Sequence, residues 1–117
     1  MLNQIVLVGR LTRDIRINKT ESGKKVATLS LAIPRSFKNM DGIYDTDYVD
    51  CILFDNTATN TSEYCHKGDI VGIKGRVQSR VYEEGETKRY ALEVVAEKVT
   101  FLTSKKLDDK EQKETDE

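Results

Sequence analysis

The chain has 117 residues, enough for one domain with a single core. One third of the residues are charged and the net charge is −1, so the overall composition does not indicate a basic protein attracted to polyanions. No run approaches the ~20 apolar residues of a membrane span, and the N-terminus lacks a basic leader with a small-residue cleavage site, so we expect a cytoplasmic protein.

The charge is divided unevenly between two parts of the chain. Residues 105–117, KKLDDKEQKETDE, hold six carboxylates, four lysines and a single apolar residue, a composition typical of disorder. Residues 1–104 hold fifteen basic and fourteen acidic side chains together with the apolar periodicity. We therefore predict a folded domain over 1–104 and a charged, disordered tail over 105–117.

The first two predicted strands differ in their apolar pattern. Strand one, Gln4–Leu11, is apolar on both faces, which indicates burial on both sides, with another subunit as a candidate cover. Strand two, Val26–Ile33, follows a turn at TESGKK and alternates in steps of two, and Pro34 should end it. The strand-one residues predicted for a subunit interface are Ile5, Val6, Leu7 and Val8.

Strand three and a candidate helix come next. Strand three, Tyr44–Phe54, follows a hairpin signal at Asp41-Gly42 and carries three aromatic residues on its even-numbered face. The polar segment NTATNTSEYCHK then predicts a short helix with Asn56 as its N-cap. The stripe of this helix that would face the core consists of Ala58, Thr61 and Cys65.

Two long strands complete the domain. Strand four, Ile70–Tyr82, carries three cations and Tyr82 on one face, and strand five, Lys88–Leu102, follows a turn at EEG. One short helix between strands three and four suits an all-β, five-stranded Greek-key barrel of the oligonucleotide-binding (OB) type. We predict this OB fold, with Tyr64 and Phe101 in its core.

Aromatic residues and cations alternate in several segments. A protein that binds single strands needs aromatic faces to stack bases and cations along the same track to neutralise phosphates. The cations of strand four are equally typical of a solvated face, and exposed aromatic residues are also typical of subunit contacts. The pattern alone leaves these interpretations open.

Catalysis finds little support in the sequence. It has no Ser/His/Asp set, no phosphate loop and no metal-ligand cluster, and His66 is its one histidine. Cys51 and Cys65 are interpreted as small, partly buried thiols. We therefore expect no enzyme activity, no cofactor and no metal site.

Five segments resemble, in order, those of the bacterial single-stranded DNA-binding protein family. They are MLNQIVLVGRLTRD, ATLSLAIPRSFKN, DYVDCILF, YCHKGDIVGIKGRVQSRVY and EVVAEKVTFL, and the likeness covers about residues 1–102. The resemblance implies an OB fold, a homotetramer paired through strand one, and a nucleoid-associated protein. It also implies sequence-tolerant binding and protection of single-stranded DNA during replication, recombination and repair.

The resemblance selects the stacking interpretation for four aromatic residues, and nearby cations become candidate phosphate contacts. The base-stacking residues that it implies are Phe37, Tyr48, Phe54 and Tyr82. The predicted phosphate contacts are Arg10, Arg13, Arg35, Lys38, Lys74, Arg76, Arg80, Lys88 and Arg89.

The chain departs from the family pattern in several places. The usual tryptophans are replaced by Phe or Tyr, and Asp50 and Asp55 bring negative charge near the phosphate path, so we expect weaker or more salt-sensitive binding. The ending KETDE lacks the terminal hydrophobic residues of the family's acidic tip, so we do not expect recruitment of repair enzymes through such a tip.

Two alternatives to single-stranded DNA binding stay open. The carboxylates favour an OB-fold protein-interaction module of a replication or mobile-element complex, with weak or no DNA binding. An RNA-binding protein of the same fold would differ only in its preference for 2′-hydroxyls, which the residues do not reveal.

Overall fold

Six strands and one helix form within residues 1–104, which are the residues that the computed structural model describes. The predicted tail, 105–117, lies outside the described residues. The strands are β1 (Ile5–Leu11), β2 (Arg16–Lys19), β3 (Lys25–Lys38), β4 (Tyr44–Phe54), β5 (Ile70–Glu84) and β6 (Thr87–Thr103), and the helix α1 (Asp55–Tyr64) lies between β4 and β5.

The five long strands close into a barrel. Their hydrogen-bonded order is β1-β5-β6-β4-β3, and β1 also pairs with β3, which closes the ring. All neighbours are antiparallel except β4 and β6, which pair in parallel at Cys51↔Val94 and Ile52↔Val95. This confirms the predicted five-stranded barrel with one short helix.

Strand β2 was absent from the sequence prediction. It has four residues, RINK, and pairs with the outer edge of β3 from Arg16↔Thr28 to Lys19↔Lys25. A single apolar residue in so short a run gives no readable alternation.

The core is formed by the inward faces of the barrel strands and by α1. Leu29 and Leu31 of β3, Leu53 of β4 and Ile73 of β5 are at most 1% exposed. The predicted helix stripe is confirmed, because Ala58, Thr61 and Cys65 are all buried.

Several local predictions were wrong. Strand β3 continues through Pro34 to Lys38, because a register irregularity between these two residues accommodates a proline that cannot donate to the ladder. The N-cap of α1 is Phe54, in extended conformation and without a side-chain cap, rather than Asn56.

Two aromatic residues assigned to the core lie on the surface instead. Tyr64, the last residue of α1, is 71% exposed, and Phe101 of β6 is 47% exposed. Their apolar character alone did not indicate on which side of the helix or strand they lie.

The β5–β6 hairpin bends at Gly75. A Cβ atom there would lie 2.0 Å from the carbonyl oxygen of Val95, so the two strands approach more closely than any side chain allows. The register shifts between Lys74 and Gly75, and the hairpin then runs on to a two-residue turn at which Gly85 has φ 65°. Positive φ at the first central residue is the position where type II′ turns favour glycine.

Candidate nucleic-acid interface

The outward face of β3 and β4 carries two of the predicted stacking residues. Tyr48 pairs with Ala32 and Phe54 pairs with Val26, so both aromatic side chains stand on the face that alternates away from the core. Tyr48 is 74% exposed, whereas Phe54 is half-buried. These two residues mark the ends of a track along β4.

The same outward face continues across the sheet to the β5–β6 hairpin. Ile52, between the two aromatic residues, pairs with Val95, and Val95 pairs with Arg76. Residues in register point to the same side of a sheet, so Arg76 faces outward with the β4 track. By alternation, Arg80 and Tyr82 follow Arg76 on that face, and Tyr82 is 42% exposed.

A depression of about 380 Å³ lies beside Tyr48. Its lining comes from β1, β3, β4 and the start of β5. Arg10 is among these residues and donates a hydrogen bond to the carbonyl oxygen of Gly68 at 2.7 Å. The other lining residues are Val8, Gly9, Ala32, Pro34, Thr46 and Ile70.

Phe54 has a cationic neighbour that sequence reasoning missed. The ammonium group of Lys24 lies 4.7 Å from the centroid of the Phe54 ring, within the range of a cation–π contact. Lys24 belongs to the turn before β3, and the β3–β4 pairing brings the two residues together. No sequence signal linked residues thirty positions apart.

The β3–β4 hairpin holds the next group of predicted residues. Phe37 is 64% exposed, and the ammonium group of Lys38 lies 5.7 Å from the centroid of Tyr44. Arg35 is paired with Asp47 and lies 3.7 Å from a carboxylate oxygen of Asp45.

Most of the predicted phosphate-binding arginines already have acidic partners. Arg80 contacts Glu93 at 3.0 Å, and Arg89 contacts Glu84 at 2.7 Å. Arg76 donates a hydrogen bond to the side-chain oxygen of Gln78 at 2.6 Å. A phosphate group would have to exchange with these partners.

The carboxylate of Asp50 lies on the track itself, between Tyr48 and Phe54. It accepts a hydrogen bond from the hydroxyl of Ser30 at 2.5 Å and lies 4.0 Å from the guanidinium of Arg13. Both charged side chains are more than 60% exposed, so the pair is a weak one.

Two predicted phosphate contacts stand beside other surfaces of the barrel. Lys74 is the register partner of Val6 and therefore stands among the residues predicted for the subunit interface. Lys88 pairs with Glu83, on the side of the hairpin opposite to Tyr82.

The outward face of β1 is apolar and exposed in the protomer. Val6 and Val8 are 65% and 51% exposed, whereas Leu7 packs against the core from the other face. Ile5 is half-buried. Of the four residues predicted for an interface, Val6 and Val8 thus present the available surface.

Within residues 1–104, no group of three or more His, Cys, Asp or Glu side chains is arranged to hold a metal ion. No helix in that part of the chain has the length and apolar character needed to cross a membrane. Burial in the core raises the pKa of the Cys51 thiol to about 11, which keeps it protonated and unreactive at neutral pH.

Comparisons with known proteins agree with this geometry. A model of the "Single-strand binding protein family" matches residues 2–102. Single-stranded DNA-binding protein B of Bacillus subtilis is 48% identical over 106 residues, which cover 90% of this chain and 94% of that protein. Single-stranded DNA-binding protein 1 of Staphylococcus aureus is 44% identical over 113 residues, covering 96% and 72% respectively.

A solved structure is similar as well. The crystal structure of a deletion mutant of the single-stranded DNA binding protein from Thermus aquaticus matches with a TM-score of 0.72 and 27% sequence identity. The match covers 86% of this chain and 50% of that one.

Proposed function

Since this chain belongs to the single-strand binding protein family, we propose that it binds and protects single-stranded DNA without catalysing a reaction. Binding is tolerant of sequence and serves DNA replication, recombination and repair. The observation that carries the proposal is the register that places Tyr48, Phe54 and Arg76 on the outside of the barrel.

Base stacking supplies sequence-tolerant affinity in this proposal. Every base has a π-face, and stacking on an aromatic side chain is worth about 1–3 kcal/mol per base by alanine substitution. Duplex DNA keeps its bases stacked internally and therefore binds much more weakly. The four stacking residues in the proposal are Phe37, Tyr48, Phe54 and Tyr82.

Phosphate neutralisation follows the same track. The β3–β4 face is flanked by Arg10, Arg13 and Arg35, and Lys38 lies near the turn between β3 and β4. The β5–β6 hairpin carries Arg76, Arg80 and Arg89. We leave Lys74 and Lys88 out of this set because they stand beside other surfaces. Because several of the arginines are shared with carboxylates, phosphates bind by exchange, and the binding is correspondingly weak.

The family is generally oligomeric, and a homotetramer is the proposed assembly. Val6 and Val8 supply the apolar outward face of β1, which favours burial against a second copy. The proposed place of action is the cytoplasm, in association with the nucleoid.

A second candidate function is protein interaction through the same barrel, with DNA binding lost. The acidic partners of the track arginines favour it, because they leave less cationic potential for phosphates. An interaction module would associate with a protein partner and fail to bind oligo-dT at low salt.

Titration with oligo-dT at several salt concentrations, followed by tyrosine fluorescence, tests the proposed function. We expect quenching of the tyrosine emission, binding that is detectable at low salt, and a linear loss of log affinity with log salt. A duplex of equal length is the control and should bind far more weakly, while an RNA oligomer of matched sequence tests the preference for DNA. Absence of oligo-dT binding at low salt would refute the proposal.

A further inference from the structure

A polar depression of about 480 Å³ lies at the β2 edge of the barrel, away from Tyr48. Its lining contains two guanidinium groups, one carboxylate and two neutral polar side chains. These residues are Arg13, Asp14, Arg16, Asn18 and Thr28. We call this set the β2 cradle.

The register places the β2 cradle on the same outward face as the aromatic track. Arg16 pairs with Thr28, and Thr28 pairs with Ile52, which lies between the stacking residues of β4. The row continues through Val95 to Arg76. One row of paired residues across five strands thus has an arginine at each end, four strand spacings apart along the curved barrel wall.

Arg16 differs in its electrostatics from Arg13 and Arg80, two outward-facing arginines that form ion pairs. It is exposed and forms no ion pair with any residue that the structure describes, whereas Arg13 lies 4.0 Å from Asp50. The one carboxylate of the β2 cradle, Asp14, accepts a hydrogen bond from the backbone N–H of Lys67 at 2.8 Å, which holds it toward the neighbouring loop. Since Arg13 is balanced by Asp50 and Asp14 is held toward the neighbouring loop, Arg16 remains the cation of the cradle without a carboxylate partner among the described residues.

The donor set of the β2 cradle matches a phosphate group. A guanidinium presents parallel N–H donors that fit phosphate oxygens bidentately, and Asn18 and Thr28 add neutral donors. None of the described residues that line the depression is aromatic, so they offer no stacking surface for a base.

We infer that the β2 cradle binds a backbone phosphate of single-stranded DNA through Arg16 and so widens the DNA path from the β4 track across β3 to β2. This inference rests on the proposed function and adds a phosphate contact to it. Single-stranded DNA whose bases stack along β4 passes over Ile52. Thr28 and Arg16 lie beside Ile52 in the paired row, so a phosphate of this DNA can contact Arg16. The same donors could serve a free phosphate, so the test separates the two sources.

The test measures the salt dependence of oligo-dT affinity for Arg16→Ala, Arg16→Lys and Lys19→Ala. Lys19 is the matched control, because it lies on the same strand and, by alternation, on the opposite face, which it shares with Ile17. One lost phosphate contact should reduce the slope of log affinity against log salt by about 0.7. Arg16→Ala should lose about tenfold in affinity at low salt, while Arg16→Lys retains the slope and Lys19→Ala matches the wild type.

Oligomer length and free phosphate provide the remaining arms. The loss in Arg16→Ala should appear with oligomers of about 16 nucleotides, the upper end of the site size of one OB fold, so this length is used for all three variants. Inorganic phosphate, added at constant ionic strength, should not lower the affinity of the wild type for oligo-dT more than it lowers that of Arg16→Ala.

The outcomes separate the two proposals. Wild-type binding with an unchanged slope in Arg16→Ala would overturn the inference and leave the proposed function in place, as would an Arg16-dependent site for inorganic phosphate with unaltered oligo-dT binding. Failure of the wild type to bind oligo-dT would overturn both.

Discussion

Arg35 and Asp47 form a bidentate ion pair on the β3–β4 hairpin. The Nε of Arg35 donates to Oδ2 of Asp47 at 3.1 Å, and Nη2 donates to Oδ1 at 2.9 Å. The pair raises the pKa of the Arg35 guanidinium and lowers the pKa of the Asp47 carboxyl, chiefly through these hydrogen bonds. A cation proposed to bind phosphate is therefore already bound to a carboxylate of the same hairpin.

Asp47→Asn should strengthen DNA binding. The substitution removes the internal competitor for Arg35 and frees its donor fork for a phosphate. We expect oligo-dT affinity to rise about three- to tenfold at low salt, measured by fluorescence titration. Asp41→Asn, in the turn of the same hairpin, removes an equal charge without freeing Arg35, and an equal gain from both variants would contradict the competition.

The ion pair also makes stability depend on pH in a defined direction. The pKa of Asp47 is lower in the folded protein than in the unfolded chain, so the pair stabilises the fold above the ordinary aspartate pKa of about 3.9 and loses that effect as pH falls through the folded value. Thermal midpoints of the wild type and Asp47→Asn should differ slightly at pH 7 and converge once the pH falls below the folded pKa of Asp47. Because the pair is exposed, added salt should also shrink the difference, and a difference unchanged by either treatment would refute this account.

The four stacking residues can be tested individually by alanine substitution. Phe37→Ala, Tyr48→Ala, Phe54→Ala and Tyr82→Ala should each lose about 1–3 kcal/mol of oligo-dT binding free energy, since each removes one stacking surface. Tyr64→Ala is the matched control, because Tyr64 is as exposed as Tyr48 but lies at the end of α1. Isothermal titration gives the affinities, and unchanged melting temperatures separate lost binding from lost fold. Normal binding by any one variant would remove that residue from the track.

The barrel was predictable because period-two alternation records which strand faces are buried. Strand β4 has the predicted bounds, and the inward stripe of α1 is confirmed by the burial of Ala58 and Thr61. The contacts that the prediction missed depend on register between distant segments. Arg35 meets Asp47 only because the hairpin pairs their strands, and Arg16 gained significance only when β2 was seen to pair with Thr28.

The surface aromatic residues show another limit of the sequence pattern. Tyr64 and Tyr48 are the same residue type, so their side chains do not indicate which of them is buried. A tyrosine that packs in the core and one that contacts a partner give the same sequence pattern. The fold shows that both are exposed in the protomer, at 71% and 74%, and separates them by position.

Gly75→Ala should destabilise the fold strongly, since its Cβ would lie 2.0 Å from the carbonyl oxygen of Val95 and the backbone would have to move. We expect a loss of about 3 kcal/mol in the free energy of unfolding, measured by urea denaturation. Gly72→Ala on the same strand is the control, because its Cβ would make ordinary contacts of 3.8 and 3.9 Å with Leu102 and Val8. Equal losses from both substitutions would show that the bend at Gly75 does not need glycine.

The outward face of β1 predicts how assembly can be broken. Val8 is 51% exposed in the protomer and stands beside Leu102 across Gly72, so it forms part of an apolar surface that a second copy can cover. A lysine there would bury an unpaired charge in the assembled interface, at a cost of several kcal/mol, while remaining solvated in the protomer. We expect Val8→Lys to reduce the mass measured by light scattering toward that of one protomer, with the circular dichroism spectrum unchanged.

Ile43→Lys is the matched control for this substitution. Ile43 is 60% exposed in the turn between β3 and β4, so the same charge enters an apolar position away from β1. It should leave the oligomer mass unchanged. If Val8→Lys keeps the wild-type oligomer mass, the subunits associate through another surface, because an unpaired charge buried at a β1 interface would destabilise the oligomer.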